Sequence, residues 1–310
     1  MKTPSHLRAL LPSREDLALV QRHWKGDILA GVTVGIVALP LALAFGISSG
    51  LGAAPGIVTA IVAGAVAAIF GGSHLQVSGP TGAMVVVLAP LVATHGAQVV
   101  PLLSVMAGIM VVAGGLLGLG RSISLIPWPV VEGFTLGIAT IIFLQQVPTA
   151  LGVSADPALN TAVATGLAIT QSSFPTAGVT LALALLVAVV TLLAPRVHRA
   201  LPGSLIGVII ATTAAEWLAL DVPRIGEIPS SLPLPQIPAF SLPLLQELLI
   251  PAAAVALLAG IESLLAARVA AGMVAGGTYQ PDRELFGQGL ANIASGVFGG
   301  MPATGAIART

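Results

Sequence analysis

The chain has 310 residues, of which 56% are hydrophobic and only 8% are Asp, Glu, Lys or Arg, and its mean hydropathy is +1.01. Soluble domains carry about 25% charged residues, so this composition describes an all-α polytopic membrane protein. Twelve basic and twelve acidic residues cancel, which leaves no basic face for nucleic acid, and the absence of Cys excludes disulfide frameworks and thiolate metal sites.

Lys2, Arg8, Arg14, Arg22 and Lys25 precede the first long apolar run, which begins at Ile28. That run starts too late and continues too long for a signal peptide, so residues 1–27 are read as a cytoplasmic N-terminal segment. Charges and prolines then bound apolar segments near 28–48, 55–71, 80–94, 99–119, 130–148, 176–194, 203–219, 246–267 and 285–299. Most reach the roughly 17–25 residues that a span requires. The segment 80–94 is short; a helix that starts inside the bilayer at Pro80 accounts for this, and an ordinary short or tilted helix is the alternative. Gly114 and Gly118 form a small-xxx-small pair suited to close helix contact. The stretch 159–171 is polar and short and reads as an interfacial helix ahead of Pro175. Residues 220–242, with Pro223, Pro229, Pro233, Pro235 and Pro238, read as a stiff external loop. A cytoplasmic N-terminus places Arg121, Arg196, Arg199, Arg268 and Arg283 in or beside cytoplasmic connections and leaves only Arg224 outside, as the positive-inside bias demands.

Two stretches echo each other. Phe70-Gly71-Gly72 is followed by Ser78-Gly79-Pro80-Thr81-Gly82-Ala83-Met84, and Phe298-Gly299-Gly300 by Met301-Pro302-Ala303-Thr304-Gly305-Ala306-Ile307. A Pro/Gly/Thr cluster in so apolar a chain marks a helix that starts or breaks in mid-membrane and leaves its first N–H groups free. Free helix N-termini there can hold an anion. Thr81, Gly82 and Ala83 at one break, and Thr304, Gly305 and Ala306 at the other, are expected to turn N–H groups and hydroxyls toward it. If 28–219 is a first unit of seven helices, the second motif occupies the third position of a second unit, 243–310. An odd number of spans per unit inverts the second unit, so the two broken helices should meet near the midplane; this second unit is read as incomplete.

Glu262 is the only ionisable residue between Pro251 and Ala267. An unpaired carboxylate in hydrocarbon costs several kcal/mol or more, so Glu262 must face the protein interior, protonated or paired. A pair with Arg268 is the alternative, although six residues do not share a helix face. No His pair, Cys or second membrane carboxylate accompanies it, which argues against a nucleophile, metal or acid–base set and against an enzyme.

Gly26-Asp27-Ile28-Leu29-Ala30-Gly31, Ala38-Leu39-Pro40-Leu41-Ala42-Leu43-Ala44-Phe45-Gly46, Ser78 to Gly82, Glu262 to Ala270, Gly287 to Asn292 and Gly299 to Gly305 follow one another in order, ending at Arg309-Thr310. With these motifs the chain resembles the sulfate permease family of anion transporters, known in animals as solute carrier family 26. The resemblance implies a seven-plus-seven inverted-repeat transporter fold with core and gate parts, of which this chain would hold nine helices and the opening of the tenth. It implies secondary active transport of a small oxyanion (sulfate, bicarbonate or a dicarboxylate) by alternating access, with Glu262 as the coupling group for H⁺ and Na⁺ as the competing ion. Pro40, Leu41 and Phe45 are read as an apolar wall, Phe45 stacking over substrate or serving as plain core. Arg309 adds positive charge near the pocket or, alternatively, faces the cytoplasm. Ala271 stands where relatives often have Asp, which removes an ionic contact there but not the site. No cofactor or metal is expected. The expected partners are a small anion and lipid, with a homodimer as the candidate assembly, in a bacterial inner membrane. A passive anion channel and a nucleobase permease on the same scaffold are the competing functions.

Overall fold

The computed structural model describes residues 8–309 apart from 124–126, 154–158, 199–200, 223, 226–227, 229 and 275–276, so Lys2, Arg199, Pro223, Pro229 and Thr310 lie outside the described residues. Helix α1 (Arg14–Ser48) begins at a capping box in which the Asp16 N–H donates to Ser13 Oγ (3.2 Å) and the Ser13 N–H donates to Asp16 Oδ2 (2.7 Å). It runs without interruption through residue 27, because no Pro precedes Pro40 within it. Next come α2 (Ala53–Phe70), a non-helical stretch containing strand β1 (Ser78–Gly79), then α3 (Gly82–His95), α4 (Val100–Leu117) and the short α5 (Gly120–Ile123). They are followed by α6 (Trp128–Ala150), α7 (Thr161–Gln171), α8 (Phe174–Val197), α9 (Gly203–Trp217), α10 (Leu242–Gly272) and α11 (Pro281–Val297), then β2 (Thr304–Gly305) and a single turn, Ile307–Arg309.

Among the described residues, five helices are long and apolar enough to cross a membrane, and α3 and α9 are shorter apolar helices. The stretch 159–171 forms α7, which packs on α6 with Thr165 Oγ1 donating to Leu144 O at 2.8 Å. The described residues of the Pro-rich loop 220–241 contain no helix, and one of them, Gln236, donates its N–H to Val297 O at 2.8 Å.

Helix α11 is the hub, flanked by α2 and α4, with α10 packed against both α4 and α11. Its contact with α4 is backbone on backbone: a methyl group at Gly108 would stand 2.7 Å from Gly289 O, and one at Gly115 would stand 2.7 Å from Phe286 N. Glycine is what lets two helix axes approach so closely. The pair that sequence spacing suggested, Gly114 and Gly118, is not this seam. Gly118 is the left-handed C-cap of α4 (φ 74°), and Gly114 has no neighbour closer than 3.8 Å to where its Cβ would be. Met84, Leu88, Leu103, Leu248, Val255 and Met301 fill the apolar core between α3, α4, α10 and the segment after α11.

Helix α11 is also unusually polar for a buried element. Arg283, expected in or beside a cytoplasmic connection, is 4% exposed and donates to Asp16 Oδ2 at 2.8 Å, while Glu284, 2% exposed, accepts the Gly72 N–H at 2.9 Å. Glu284 is thus a second buried carboxylate, bonded at Gly72 rather than at Glu262. The first turn of α11 lies inside the protein because Gly71 and Gly72 let the preceding chain press against it; a Cβ on Gly72 would lie 2.7 Å from Glu284 N.

The two echoed motifs meet. Strands β1 and β2 pair antiparallel, with Ser78 opposite Gly305 and Gly79 opposite Thr304. Neither Pro80 nor Pro302 lies in a helix, and the short reach of α3 follows from the break at Pro80.

Candidate functional site

Beside the strand pair lies a cavity of about 500 Å³, enclosed by Leu41 and Phe45 of α1, the β1–α3 junction, one face of α6, Glu262 and Leu265 of α10, and the turn after β2. At about 30 Å³ per water molecule, it has room for a small anion that keeps part of its hydration.

The first break supplies a helix N-terminus. Thr81 is the N-cap of α3 with extended backbone (φ −129°, ψ 159°), yet its side chain does not cap the helix. Its hydroxyl donates instead to Glu262 Oε2 at 3.1 Å. Gly82 and Ala83, whose N–H groups have no partner within a helix, line the cavity. A Cβ added at Gly82 would meet the tip of the Ile142 side chain and sit 3.5 Å from the Phe45 ring, so Ile142 would have to turn aside.

The second break is used differently. Thr304, fully buried, donates its hydroxyl to Glu262 Oε2 at 2.6 Å and lies 3.0 Å from the Thr81 hydroxyl, so both breaks converge on one carboxylate oxygen. The N–H groups expected to face the anion are engaged elsewhere: Gly305 donates to Ser263 Oγ (3.0 Å) and Ala306 to Val77 O (2.8 Å). Strand pairing explains the change, because it turns these donors toward β1 and α10. Gly305 and Ala306 still border the cavity, whereas Thr304 stands behind its wall.

Arg309 also lines the cavity, and its Nη2 donates to Pro80 O at 2.6 Å, bridging the two breaks. Among the described residues of the lining, Glu262 and Arg309 are the charged ones. The side-chain partners of Glu262 are the two threonines rather than Arg268. On α1, Leu41 and Phe45 sit four residues apart on one face and touch the cavity; Pro40, a residue off that face, is not part of the lining. Sequence reading missed Thr135, Ile138 and Ile142 of α6, together with Leu265 and Ile307. The spacing of three and four along α6 marks a face, but an apolar span shows such faces in every direction, and Thr135 is the only polar signal on it.

The model of the sulfate permease family matches residues 24–310. The chain belongs to the sulfate permease family. It is 38% identical over 294 residues to the putative sulfate transporter YvdB of Bacillus subtilis, covering 93% of this chain and 55% of that protein. It is 36% identical over 298 residues to the bicarbonate transporter BicA of Synechocystis, covering 93% and 52%. It thus spans about half the length of the curated relatives it matches. The solved transmembrane domain of a cyanobacterial bicarbonate transporter BicA superposes with a TM-score of 0.83 at 35% identity, over 93% of this chain and 76% of that one. The murine Solute Carrier 26 family member A9 anion transporter in the inward-facing state gives 0.83 at 17% identity, over 99% and 56%, a likeness of fold alone. The all-α polytopic architecture is therefore that of the family's inverted-repeat membrane fold, and the chain is an integral membrane protein. The relatives named are transporters rather than enzymes.

Proposed function

We propose that this sulfate permease family member is a secondary active transporter that carries small oxyanions through the cavity by alternating access, in symport with H⁺. The observation that carries the reading is the shared enclosure of three groups: the N-terminus of α3 at Gly82 and Ala83, the Arg309 guanidinium, and the Glu262 carboxyl. The first two attract an anion. The third offers a negative charge that a cation must neutralise when the anion enters, since an uncompensated carboxylate beside an anion is repelled in a poorly solvated site. Anion and cation then move together because neither is comfortable there alone.

Backbone N–H groups recognise charge and size rather than one acid, so sulfate, bicarbonate and dicarboxylates all fit the cavity. Relatives named for sulfate and for bicarbonate match the chain at similar identity, which makes those two anions the first probes. Na⁺ is the competing cation, because Glu262 and the hydroxyls of Thr81 and Thr304 form a cluster of hard oxygen atoms. In the same reading the N-terminus is cytoplasmic, the membrane is a bacterial inner membrane, and segments 28–219 and 243–310 are the first repeat and the start of its inverted partner.

The test is uptake of radiolabelled sulfate and bicarbonate by proteoliposomes of the intact protein under separately imposed proton and sodium gradients. Concentrative uptake that rises on external acidification and is absent at zero gradient is the expected result. Gradient-independent equilibration would identify a passive channel, and uptake of only neutral or cationic solutes would overturn the anion reading.

A further inference from the structure

The segment between α11 and β2 lies in neither a helix nor a strand, yet side chains hold it at Met301 and Ala303. Both backbone groups of Met301 are bound by side chains: its N–H donates to Thr59 Oγ1 (2.7 Å), and its carbonyl accepts from Ser295 Oγ (2.7 Å) and Thr59 Oγ1 (3.1 Å). Pro302 has no N–H to satisfy. The Ala303 N–H donates to Asn292 Oδ1 (2.8 Å), and its carbonyl accepts from Asn292 Nδ2 (3.0 Å) and Gln288 Nε2 (2.8 Å). Gln288 Oε1 also accepts from Ser78 Oγ (2.9 Å), which ties β1 to the same clamp. Gln288, Asn292 and Ser295, at spacings of four and three, form one stripe on α11, and all are fully buried.

Stability alone does not call for so many buried polar side chains, because an apolar stripe facing a helix would pack as well without desolvation costs. What this stripe achieves is placement. Thr304 follows Ala303 directly, and its hydroxyl must arrive 2.6 Å from Glu262. We propose that Gln288 and Asn292 are positioning residues of the cation-coupling site, holding Ala303 by both of its backbone groups so that Thr304 delivers its hydroxyl to Glu262. The clamp grips the backbone rather than the Thr304 side chain, so the hydroxyl stays free to turn as Glu262 gains or loses its cation. Among the described residues, Arg309 is the other charge that lines the cavity at Glu262, and those of α1, α3 and α6 in the lining are uncharged.

The inference rests on the transport reading, and the experiment separates the two. Asn292→Leu and Gln288→Met are placed in the intact protein, alone and combined with Thr304→Val, with Ser295→Ala as the control. Proteoliposome uptake of radiolabelled sulfate and bicarbonate is measured against proton or sodium concentration, beside size-exclusion profile and Tm. Asn292→Leu should move the cation concentration for half-maximal uptake by about tenfold and Gln288→Met by about threefold, with anion KM at saturating cation within about twofold of wild type. Neither should move it further in the Thr304→Val background, since residues acting through one group are not additive. Ser295→Ala should lower Tm without moving the midpoint, because its bond lies at Met301. If Asn292→Leu fails to fold, Gln288→Met carries the test, as Ala303 then keeps both bonds to Asn292. An unchanged midpoint in folded Gln288→Met, or shifts that add to that of Thr304→Val, would overturn the positioning role while leaving wild-type transport intact. Absence of cation-dependent anion uptake by wild type would overturn the transport reading and this inference with it.

Discussion

At the first break, Thr81 leads into the 14 residues of α3, and Gly82 and Ala83 face the cavity with N–H groups that no helix carbonyl can reach. At the second, the residues in matching places, Gly305 and Ala306, give their N–H groups to Ser263 and Val77, and the break contributes a hydroxyl to Glu262 and a guanidinium to the cavity. Both breaks have the same local form, a two-residue strand reached after a Gly-Gly exit from a helix. The sequence echo thus reports backbone geometry, while the chemistry follows from neighbours: α6 and α1 lie beside the first break, and α10 and α11 hold the second. On the proposed transport reading, this comparison assigns the first break chiefly to the anion and the second chiefly to the coupled cation.

The largest effect should come from the group both breaks share. Glu262→Gln removes the titratable group at similar volume and should abolish gradient-driven accumulation in proteoliposomes, leaving anion binding by isothermal titration within a few-fold. Equal driven accumulation by wild type and variant would make Glu262 structural and dissolve the division of labour. Gly82→Ala comes next. Its methyl group would push the tip of the Ile142 side chain aside, crowding the cavity at the helix N-terminus, and the anion KM should rise by about tenfold, equivalent to about 1.4 kcal/mol. Ile142→Ala in the same protein should recover most of the loss. A failure of that rescue would mean that position 82 matters for something other than the fit against α6.

The spans, the meeting of the two breaks and the inward-facing Glu262 were legible in the sequence, because hydropathy, Pro/Gly punctuation and a lone carboxylate are each signals that the membrane amplifies; that both break threonines bond Glu262 was not. The burial of α11 was not. Arg283 reads as lying in or beside a cytoplasmic connection, and the close contacts allowed by Gly72 and Gly120 bring it and its neighbours Asp282 and Glu284 inside. The engagement of the Gly305 and Ala306 N–H groups was equally hidden, since strand pairing between residues more than two hundred apart has no local signature. The α6 wall was hidden too, because Ile138 and Ile142 are ordinary residues of an apolar span until a cavity opens beside them. Pro40 reads as part of the apolar wall with Leu41 and Phe45, but one residue of helix rotation takes it off the face that lines the cavity.

Arg309→Gln tests the bridge between the breaks. The guanidinium donates to Pro80 O and adds a positive charge to the cavity; the amide keeps a donor and loses the charge. Anion KM should rise by about fivefold, and more steeply at low ionic strength, where charge attraction is least screened. A KM unchanged at every salt concentration would leave α3 as the only anion-attracting element.

The finest distinction lies between the two threonines. Both hydroxyls donate to Glu262 Oε2, Thr304 at 2.6 Å and Thr81 at 3.1 Å. Hydrogen bonds to carboxylates strengthen as they shorten, and Thr304 is fully buried whereas Thr81 is 7% exposed and close to the cavity. Replacement by Val keeps the shape and removes the hydroxyl in each case. Thr304→Val should therefore shift the cation concentration for half-maximal uptake more than Thr81→Val does, by about threefold between them, or roughly 0.7 kcal/mol. Thr81 is also the N-cap of α3, so its replacement should raise anion KM as well, which Thr304→Val should not. Titrating uptake against proton and sodium concentration at several anion concentrations separates the two effects. If the two variants shift both parameters alike, the breaks are chemically equivalent, and the asymmetry in their hydrogen bonding has no part in coupling.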